Sequence, residues 1–598
     1  MNVRTSTALS RLALVCGVLV AWPAFAPAAL AQEGRAPAAA RPARGARGSI
    51  SGRVVGEGGE PLAQVTVFVT PRGSVRQPSR PRVVVSDDGG NFVAPGLEPG
   101  VYHVGVSAPG YVPDPEQLSA VEAYRPGDFV VMRMLRGGVV TGVVTDAAGA
   151  PLAALSVRAF RVRDHEGRPA ASSWNFSNED QTDDRGVYRI YGLPPGTYVV
   201  AAGGGAQRWG YVSPYDGNAP TFYPSGTRDT AAEVSVRAGQ ETAGVDIRYR
   251  DERGHRVTGT LAPTGAAAAG EPGEGASVVL NYAGSGVPAA HAWVGAQDVN
   301  RSFSFEGVAD GDYEVLASMQ TRDGVSASSA SQRVSVRGAD VTGLRLTLAP
   351  LASVSGTVSA EAAPEAVRAL AECKGRAAAP LLQETLVIAR GDPKAAGTPA
   401  QPPRRGPQVR EASPDEAGEF TLRHLEAGAY RLGARPLDEN FYVRSIQPPP
   451  AAGRAAAGAM LQVVGGQRLA GLSIRLAAGA ASAAGSVAAE PGAPPFAALR
   501  VYLVPAERER AEDTLRYAEA TPTPAGSFAF RNLAPGRYLL VVRATDAAEA
   551  RPRPPFWDAD ARAALRREAA AAGLTLDLQP CQRAADLTLR YPVSKEKP

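Results

Sequence analysis

The chain has five histidines with which it could hold a catalytic zinc ion: His103, His165, His255, His291 and His424. Zinc hydrolases typically place two histidines on one helix face, as in His-Glu-x-x-His, with a third protein ligand nearby. No histidine of this chain stands in that motif, and none is followed by glutamate three residues on. They are also dispersed along the chain. The sequence therefore predicts isolated histidines in strands or loops, with no metal site and no cofactor.

Two pairs of adjacent acids could be mistaken for calcium loops. Asp87-Asp88 and Asp183-Asp184 each stand just before a glycine turn. Calcium usually takes several oxygen ligands from one loop, spaced as in Asp-x-Asp-x-Asp-Gly, and neither pair has that spacing. Both pairs are therefore predicted to be hairpin turns. The chain also lacks a Gly-x-Ser-x-Gly nucleophile elbow and a Gly-x4-Gly-Lys phosphate loop, so we expect no catalytic residues and no enzyme.

One aromatic concentration could bind a sugar or a peptide. Aromatic faces stack on the apolar surface of sugars, and binding residues are commonly carried on loops. The aromatics lie in a loop at residues 203–225, which also contains glycine, proline, Asp216 and Asn218. Their rings could equally cover the end of a hydrophobic core. Both interpretations stay open. Trp174, Trp293 and the pair Phe556-Trp557 are weaker candidates. The candidate ligand-binding residues are Trp209, Tyr211, Tyr215, Phe222 and Tyr223.

The length and charge of the chain limit its class. At 598 residues the chain exceeds what one hydrophobic core supports, so several domains are expected. The formal net charge of +4 is small and its basic residues are scattered, so no nucleic-acid partner is predicted. Residues 1–31 are predicted to be a secretory signal, because basic residues precede an apolar run and Ala29 and Ala31 suit a cleavage site. We therefore expect a secreted, periplasmic or cell-surface protein without a membrane span after signal cleavage.

Signal removal leaves two cysteines, Cys373 and Cys581. An exported protein meets an oxidising compartment, so a disulfide between them is permitted. They fall in different predicted domains, and the sequence leaves open whether they form a disulfide or remain two thiols.

A repeated segment organises the chain. In each of five copies an aromatic residue precedes a tyrosine by ten positions, with an aliphatic residue midway and a glycine turn before the tyrosine. The alternation around both aromatics predicts two strands joined by a short loop. The tyrosine is predicted to bury its ring at the sandwich edge and to hydrogen-bond to nearby backbone, a structural role. The copies are Phe92 with Tyr102, Tyr188 with Tyr198, Phe303 with Tyr313, Phe420 with Tyr430, and Phe528 with Tyr538.

Further strand patterns surround each copy. A strand containing a glycine opens each unit, and alternating strands close units two to four. The tyrosines recur at spacings of 96, 115, 117 and 108 residues, the size of one β-sandwich domain. The sequence thus predicts an all-β chain of about five tandem immunoglobulin-like sandwiches. Because the linkers are short, we expect a semi-rigid rod.

The domain boundaries follow from these repeats. Residues 559–572 are alanine-rich and are predicted to form a short helix, and residues 391–410 read as a flexible insertion. The predicted segments are the signal at 1–31, a disordered leader at 32–47, sandwiches at 48–135, 136–250, 251–350, 351–478 and 479–592, and a tail at 593–598.

The first two units resemble carboxypeptidase regulatory-like domains. The resemblance is carried by Gly59-Glu60-Pro61-Leu62 and Gly149-Ala150-Pro151-Leu152, followed by Asp-x-x-Gly-x-Phe/Tyr and Pro-Gly-x-Tyr. In units three to five the Pro-Leu step is missing, and the third unit also lacks the glycine before Phe303. The resemblance, of a secreted bacterial type, implies a transthyretin-like sandwich classed with Cna-B-like and carbohydrate-binding-like modules. It implies a fold and no activity.

Three functions remain open at this point. The first is a non-catalytic binding, adhesion or spacer protein of the envelope, with a carbohydrate or an envelope protein as its partner. The second is a carbohydrate-binding protein proper, using the aromatic loop of the second unit. The third, a peptidase-associated protein, has only the family name in its favour, because no zinc or nucleophile motif is present.

Overall fold

The structure is a computed structural model of the chain. It describes residues 47–72, 81–115, 122–165, 167–170, 178–204, 214–215, 217–263, 275–285, 287–295, 298, 300–320, 326–361, 373, 380–392, 409–450, 459–489, 492–545 and 553–591. The predicted signal and tail, the leader up to residue 46, and most of the insertion at 391–410 lie outside the described residues. Within them, strands dominate, and the all-β multidomain fold predicted from the sequence is confirmed.

The described strands fall into five repeat units. The first contains β1 (Gly48–Val55), β2 (Thr66–Pro71), β3 (Arg82–Val85), β4 (Asn91–Leu97), β5 (Tyr102–Ser107), β6 (Tyr111–Pro113) and β7 (Phe129–Arg136). The second contains β8 (Gly138–Thr145), β9 (Ser156–Arg163), β10 (Glu179–Gln181), β11 (Val187–Leu193), β12 (Gly196–Ala202), β13 (Thr221–Phe222), β14 (Val234–Val236), β15 (Glu241–Thr242) and β16 (Ile247–Arg248). The third contains β17 (His255–Pro263), β18 (Ala276–Tyr282), β19 (Pro288–Val294), β20 (Ser302–Val308), β21 (Gly311–Gln320), β22 (Ser326–Ser329), β23 (Gln332–Val336) and β24 (Val341–Pro350).

The last two units continue the pattern. The fourth contains β25 (Ala352–Ala360), β26 (Thr385–Gly391), β27 (Val409–Ala412), β28 (Glu419–Leu425), β29 (Gly428–Pro436), β30 (Phe441–Gln447), β31 (Met460–Val463) and β32 (Arg468–Ala478). The fifth contains β33 (Ala481–Ala489), β34 (Leu499–Pro505), β35 (Ala518–Ala520), β36 (Ser527–Leu533), β37 (Gly536–Ala544), the helix α1 (Ala559–Ala572), β38 (Thr575–Leu578) and β39 (Arg583–Tyr591). Short 3-10 turns lie at Arg228–Thr230, Leu382–Glu384, Phe496–Ala498, Arg508–Arg510, Thr514–Arg516 and Pro555–Trp557.

Every unit places its opening strand in the middle of a sheet. In the first unit β1 pairs antiparallel with β4, the strand that carries the first repeat aromatic, and parallel with β7, the closing strand. The third, fourth and fifth units repeat this arrangement around β17, β25 and β33. In the second unit two short strands, β15 and β16, take the parallel position beside β8. Parallel strands need a long crossover connection, and in the first, second, fourth and fifth units the strands of that connection form a second sheet. In the third unit β22 pairs with both β21 and β24, so that its strands form one continuous eight-stranded sheet.

A glycine of the opening strand faces the first repeat aromatic in all five units. The absence of a side chain lets the closing strand approach: a Cβ on Gly356 would stand 2.1 Å from the carbonyl oxygen of Leu472, and one on Gly485 would stand 2.0 Å from that of Leu587. The buried aromatic ring on the neighbouring strand covers the position that the glycine leaves open. The pairs are Gly52 with Phe92, Gly142 with Tyr188, Gly259 with Phe303, Gly356 with Phe420, and Gly485 with Phe528.

The repeat tyrosine closes the loop between two strands. In each unit its hydroxyl donates a hydrogen bond to the backbone carbonyl four residues earlier, the kind of contact that the sequence predicted. Burial raises the pKa of each of these hydroxyls, to about 12 for Tyr430, so they remain protonated donors. The bonds run from Tyr102 to Glu98 (2.8 Å), Tyr198 to Pro194 (2.7 Å), Tyr313 to Ala309 (2.8 Å), Tyr430 to Glu426 (3.0 Å) and Tyr538 to Ala534 (2.6 Å).

The hairpin before the aromatic needs a left-handed residue. Gly90 takes this position in the first unit with φ of 75°, and its carbonyl accepts a hydrogen bond from Val54 of the opening strand. The third unit has Arg301 there, with φ of 46°, and its carbonyl makes the equivalent bond to Leu261. The third unit therefore adopts the same backbone conformation without the glycine. A left-handed conformation costs a residue with a side chain about 1–2 kcal/mol.

Hydrophobic clusters fill the sandwiches. The first, second and fourth units each have a cluster of their own, and the fifth has two, one of them beneath α1. The third unit shares its cluster with Phe160 and Phe222 of the second. The helix predicted over residues 559–572 is confirmed at Ala559–Ala572, because Asp558 caps its first amides and Gly573 ends it with φ of 73°. No helix of the described residues is long and apolar enough to span a bilayer.

The prediction of a semi-rigid rod is wrong. Units adjacent in sequence do touch, but the first unit also contacts the fourth: Arg72 pairs with Glu411 at 3.0 Å and Arg125 with Glu384 at 2.9 Å. Residues 44–598 group into one compact unit by their contacts. Short linkers restrict reorientation, as expected, but they do not keep successive sandwiches in line.

We expect replacement of Gly356 by alanine to destabilise the fourth unit by about 2–3 kcal/mol, because the added Cβ has to displace the carbonyl of Leu472. Gly433 is the matched control, since a Cβ there meets no atom within 4 Å. Urea unfolding and calorimetry of the intact variants each measure the two changes in stability. Equal stabilities of Gly356→Ala and Gly433→Ala would show that the close approach of the strands is not limiting.

Candidate functional site

The five histidines do not converge. His255 lies 3.2 Å from Asp310 and 4.0 Å from Asp340, and His291 shares a hydrogen bond with Ser277 at 2.9 Å. Burial lowers the pKa of His291, which favours the neutral ring. Among the residues that the structure describes, no group of three or more histidine, cysteine or acidic side chains could hold a metal ion.

The acidic pairs build hairpin turns. Oδ1 of Asp87 accepts the backbone amides of Gly89 and Asn91 at 3.0 and 2.7 Å, and Asp183 binds the corresponding amides of Arg185 and Val187 at 2.9 and 2.8 Å. A carboxylate oxygen that accepts two amides is occupied in holding the turn. Hydrogen bonds from Val187 and Arg185 lower the pKa of Asp183 accordingly.

The aromatic loop of the second unit is largely packed where the structure describes it. Trp209 and Tyr211 lie outside the described residues. Tyr215 meets the Tyr249 ring edge-on at 5.7 Å, and with Tyr223 it packs against the core of the second unit.

Phe222 requires a correction as a ligand-binding candidate. Only 1% of it is exposed, and it lies 5.9 Å from Tyr282 inside the cluster shared with the third unit. Its ring joins two sandwiches and has no face open to a sugar.

The first and fourth units meet through charged and apolar contacts. Glu384 is buried and accepts a hydrogen bond from Arg125, and Val101 of the first unit packs with Leu386 of the fourth. Burial raises the pKa of Glu384 in spite of Arg125, so ionisation of this carboxyl is costly. Such a pair has strict geometric requirements and therefore fixes how the two units are oriented.

A second charged cluster joins the fourth and fifth units. The Asp392 side chain is fully buried and accepts hydrogen bonds from Arg431 and Arg553 at distances of 2.8–3.2 Å. Burial opposes ionisation of Asp392, but the two arginines outweigh it and lower the pKa. Both guanidinium groups also lie within 5.8–5.9 Å of the Trp557 ring, as does that of Arg390.

Two further contacts link the fourth and fifth units. Cys373 and Cys581 form a disulfide with 5.3 Å between their Cα atoms. Asn532 of β36 donates its side-chain amide to the carbonyls of Asp438 and Phe441 at 3.0 and 2.8 Å. Asn532 takes a left-handed φ of 54°.

These contacts enclose a cleft of about 1240 Å³ between the first, fourth and fifth units. We call it the three-unit cleft. The first unit contributes residues 122–125 with Asp128 and Phe129, the fourth contributes parts of β26, β29 and β30, and the fifth contributes β35, β36 and neighbouring loops. The described lining carries seven arginines and five acidic residues: Arg125, Arg390, Arg431, Arg435, Arg516, Arg531 and Arg583, with Glu122, Asp128, Asp438, Glu439 and Glu519.

Sequence reasoning did not find this cleft. Its charged residues are scattered over more than four hundred positions and belong to no motif. One signal was present: the pair Phe556-Trp557 was a weaker candidate, and Trp557 does line the cleft. The other weaker candidates stay apart, because Trp293 is 54% exposed on β19 of the third unit and Trp174 lies outside the described residues.

The fold and the cleft together define a multidomain all-β protein built from immunoglobulin-like sandwiches. Residues 49–128 match the family model of the carboxypeptidase regulatory-like domain, which confirms the resemblance for the first unit. A search of curated proteins found no match.

Several solved structures are similar to parts of the chain. The Bacillus anthracis TIE protein is 15% identical over 50% of this chain and 50% of its own, with a TM-score of 0.13. GBS52, the minor pilin of Streptococcus agalactiae, is 14% identical over 34% of this chain and 96% of its own, with a TM-score of 0.20. BcpA, the major pilin subunit of Bacillus cereus, is 11% identical over 50% of this chain and 99% of its own, with a TM-score of 0.13.

We expect Asp392→Asn to lower the stability of the contact between the fourth and fifth units by about 2 kcal/mol at pH 7, since two arginines lose their charged acceptor. The folded pKa of Asp392 is lowered, so its contribution is complete above the unfolded value of about 4 and is lost as pH falls through the folded pKa. The difference in stability between wild type and Asp392→Asn therefore becomes smaller at acidic pH. Thermal unfolding from pH 7 to pH 3 measures it, with exposed Asp577→Asn as control; a constant gap contradicts the assignment.

The disulfide between Cys373 and Cys581 can be tested separately. Alkylation of the non-reduced, denatured protein is expected to label neither Cys373 nor Cys581, and proteolysis should release one peptide pair that reduction separates. Mass spectrometry reads both outcomes. Two labelled cysteines in the non-reduced sample would show that the fourth and fifth units are held together by non-covalent contacts alone.

Proposed function

We propose that the chain is a non-catalytic protein of the cell envelope or the extracellular space that acts by binding, as an adhesion or spacer protein. The observation that carries this proposal is that described acidic side chains, which could act in catalysis or metal binding, are hydrogen-bonded within the fold. Asp87 and Asp183 hold turns, and Asp392 and Glu384 hold units together. What the described chain offers to a partner is the three-unit cleft.

The proposal includes the domain organisation. The five sandwiches are taken as units with the boundaries 48–135, 136–250, 251–350, 351–478 and 479–592, each built on its own opening strand. The clusters of the first, second, fourth and fifth units support separate cores, whereas the cluster shared by the second and third favours their acting as a pair.

The two alternatives receive less support. The carbohydrate-binding proposal through the aromatic loop would depend on Trp209 and Tyr211, since Phe222 is buried. The peptidase alternative lacks a described cluster of metal-ligating side chains and would need a site among other residues.

Binding of the labelled intact chain to envelopes isolated from the source organism tests the proposal. The expected result is saturable binding that unlabelled chain competes away and that heat-denatured chain does not show. The absence of saturable binding contradicts the proposal, and so does metal-dependent peptide hydrolysis that follows the protein through purification.

A further inference from the structure

One region of the three-unit cleft has more positive charge than its carboxylates balance. Oε1 of Glu439 lies 2.9 Å from Arg531 and its Oε2 lies 3.9 Å from Arg583, so one carboxylate faces two guanidinium groups. Both arginines remain more than half exposed, at 69% and 61% of their side chains. Their donors are therefore accessible to a further acceptor, and the planar guanidinium group matches carboxylates in a bidentate geometry.

A neighbouring arginine raises the positive potential further. Burial, followed by the charges of Arg531 and Arg72, lowers the pKa of Arg435, which lines the same cleft, and the opposing effect of Glu122 is smaller. Like charges that are held together in a partly enclosed site focus the field on an incoming anion. An acidic ligand would relieve this repulsion.

The first unit also places an exposed apolar side chain in the lining of the cleft. Phe129 of the first unit lines the cleft and is 65% exposed. It continues into a strip on the outer face of the sheet, where Ser51 pairs with Val93 on one side and Phe129 on the other, and Val131 follows on β7. Val93 and Val131 are 56% and 49% exposed. We call Val93, Phe129 and Val131 the apolar strip.

The apolar strip stands out from the rest of the described surface. Three of the eight large hydrophobic side chains that are exposed in the described residues form this strip, whereas Val83 and Val85 lie on β3 in the other sheet of the first unit. Exposed apolar side chains that cluster beside a cleft mark an interaction surface more often than scattered ones do.

The size and chemistry of the cleft favour a polypeptide segment. A small-molecule site usually measures about 300–1,000 Å³, below the 1240 Å³ here. In an extended peptide acidic and apolar side chains can alternate, so that one segment offers carboxylates to Arg531 and Arg583 and apolar side chains to Phe129. A polyanionic sugar would satisfy the arginines but has no apolar side chains for the strip.

We propose that the three-unit cleft binds an extended acidic peptide segment of a partner protein, in which acidic and apolar residues alternate. Arg531 and Arg583 bind its carboxylates, and the apolar strip receives its hydrophobic side chains. This inference rests on the proposed function, because it names the partner of a binding protein.

The probe is a synthetic peptide in which glutamate alternates with valine, titrated into the intact chain by calorimetry. The comparison ligands are the same peptide with lysine for glutamate and polygalacturonate. We expect the acidic peptide to bind in a salt-sensitive manner, and the lysine peptide to fail. The double variant Arg531→Ala/Arg583→Ala and the single variant Phe129→Ser are each expected to weaken binding about tenfold or more.

Two further variants separate direct binding from a structural effect. Glu439→Gln removes the carboxylate that competes with the peptide for Arg531 and Arg583, and it also breaks the ion pairs of Glu439 with both arginines. If the arginines bind the peptide directly, this variant should bind the peptide more tightly. Weakening by Glu439→Gln would instead mean that the ion pairs only hold the units together, and would overturn the proposal. Arg345→Ala, at an exposed arginine of the third unit, is the control and should leave binding unchanged.

The outcomes distinguish this inference from the proposed function. Equal or stronger binding of polygalacturonate with the same sensitivity to Arg531→Ala/Arg583→Ala overturns the peptide proposal and keeps a binding protein. If the chain binds envelopes saturably but does not bind the acidic peptide, the proposed function is supported and the acidic-peptide proposal is refuted. Failure of envelope binding refutes the function itself, whatever the peptide does.

Discussion

Each sandwich depends on the close approach of its closing strand to a glycine of its opening strand. The carbonyl oxygen of Leu472 lies where the Cβ of any other residue at position 356 would stand, and the third unit shows the same crowding between Gly259 and Leu344. The aromatic partner across the strand covers the gap, and the repeat tyrosine fixes the return loop. Because these three residues occupy fixed positions along the chain, the fold can be repeated while most other positions change.

The sandwiches alone do not determine how the units pack. Most of their buried hydrophobic residues pack within one unit, or within the pair formed by the second and third, and only the small cluster of Val101, Ala123 and Leu386 joins the first unit to the fourth among the described clusters. Orientation of the first, fourth and fifth units therefore depends on directional contacts such as Arg125 with Glu384 and Asp392 with Arg553. Buried ion pairs add little net stability, since desolvation offsets attraction, but a misaligned arrangement would leave their charges unpaired.

The sequence was informative where the constraint is local. The ten-residue spacing indicated five units, and the alanine-rich run predicted α1, whose ends the structure shows to be capped by Asp558 and Gly573. The left-handed position in the third unit shows the limit of this reasoning, because Arg301 adopts the geometry without the glycine that would have announced it. The rod failed for a different reason: linker length restricts motion but does not specify direction. Contacts between distant residues, such as Arg72 with Glu411, have no signature in spacing.

The cleft differs in origin from a loop-borne binding site. Loops at the end of one sandwich exist as soon as that unit folds, whereas the walls here come from three units and exist only when all three are docked. A ligand that touches more than one wall binds the docked arrangement and not the separated units, so binding and docking stabilise each other by mass action. Asp392 and the disulfide contribute to the docking of the fourth and fifth units and do not themselves line the cleft. Residues that never touch a partner can therefore determine how strongly the partner is held.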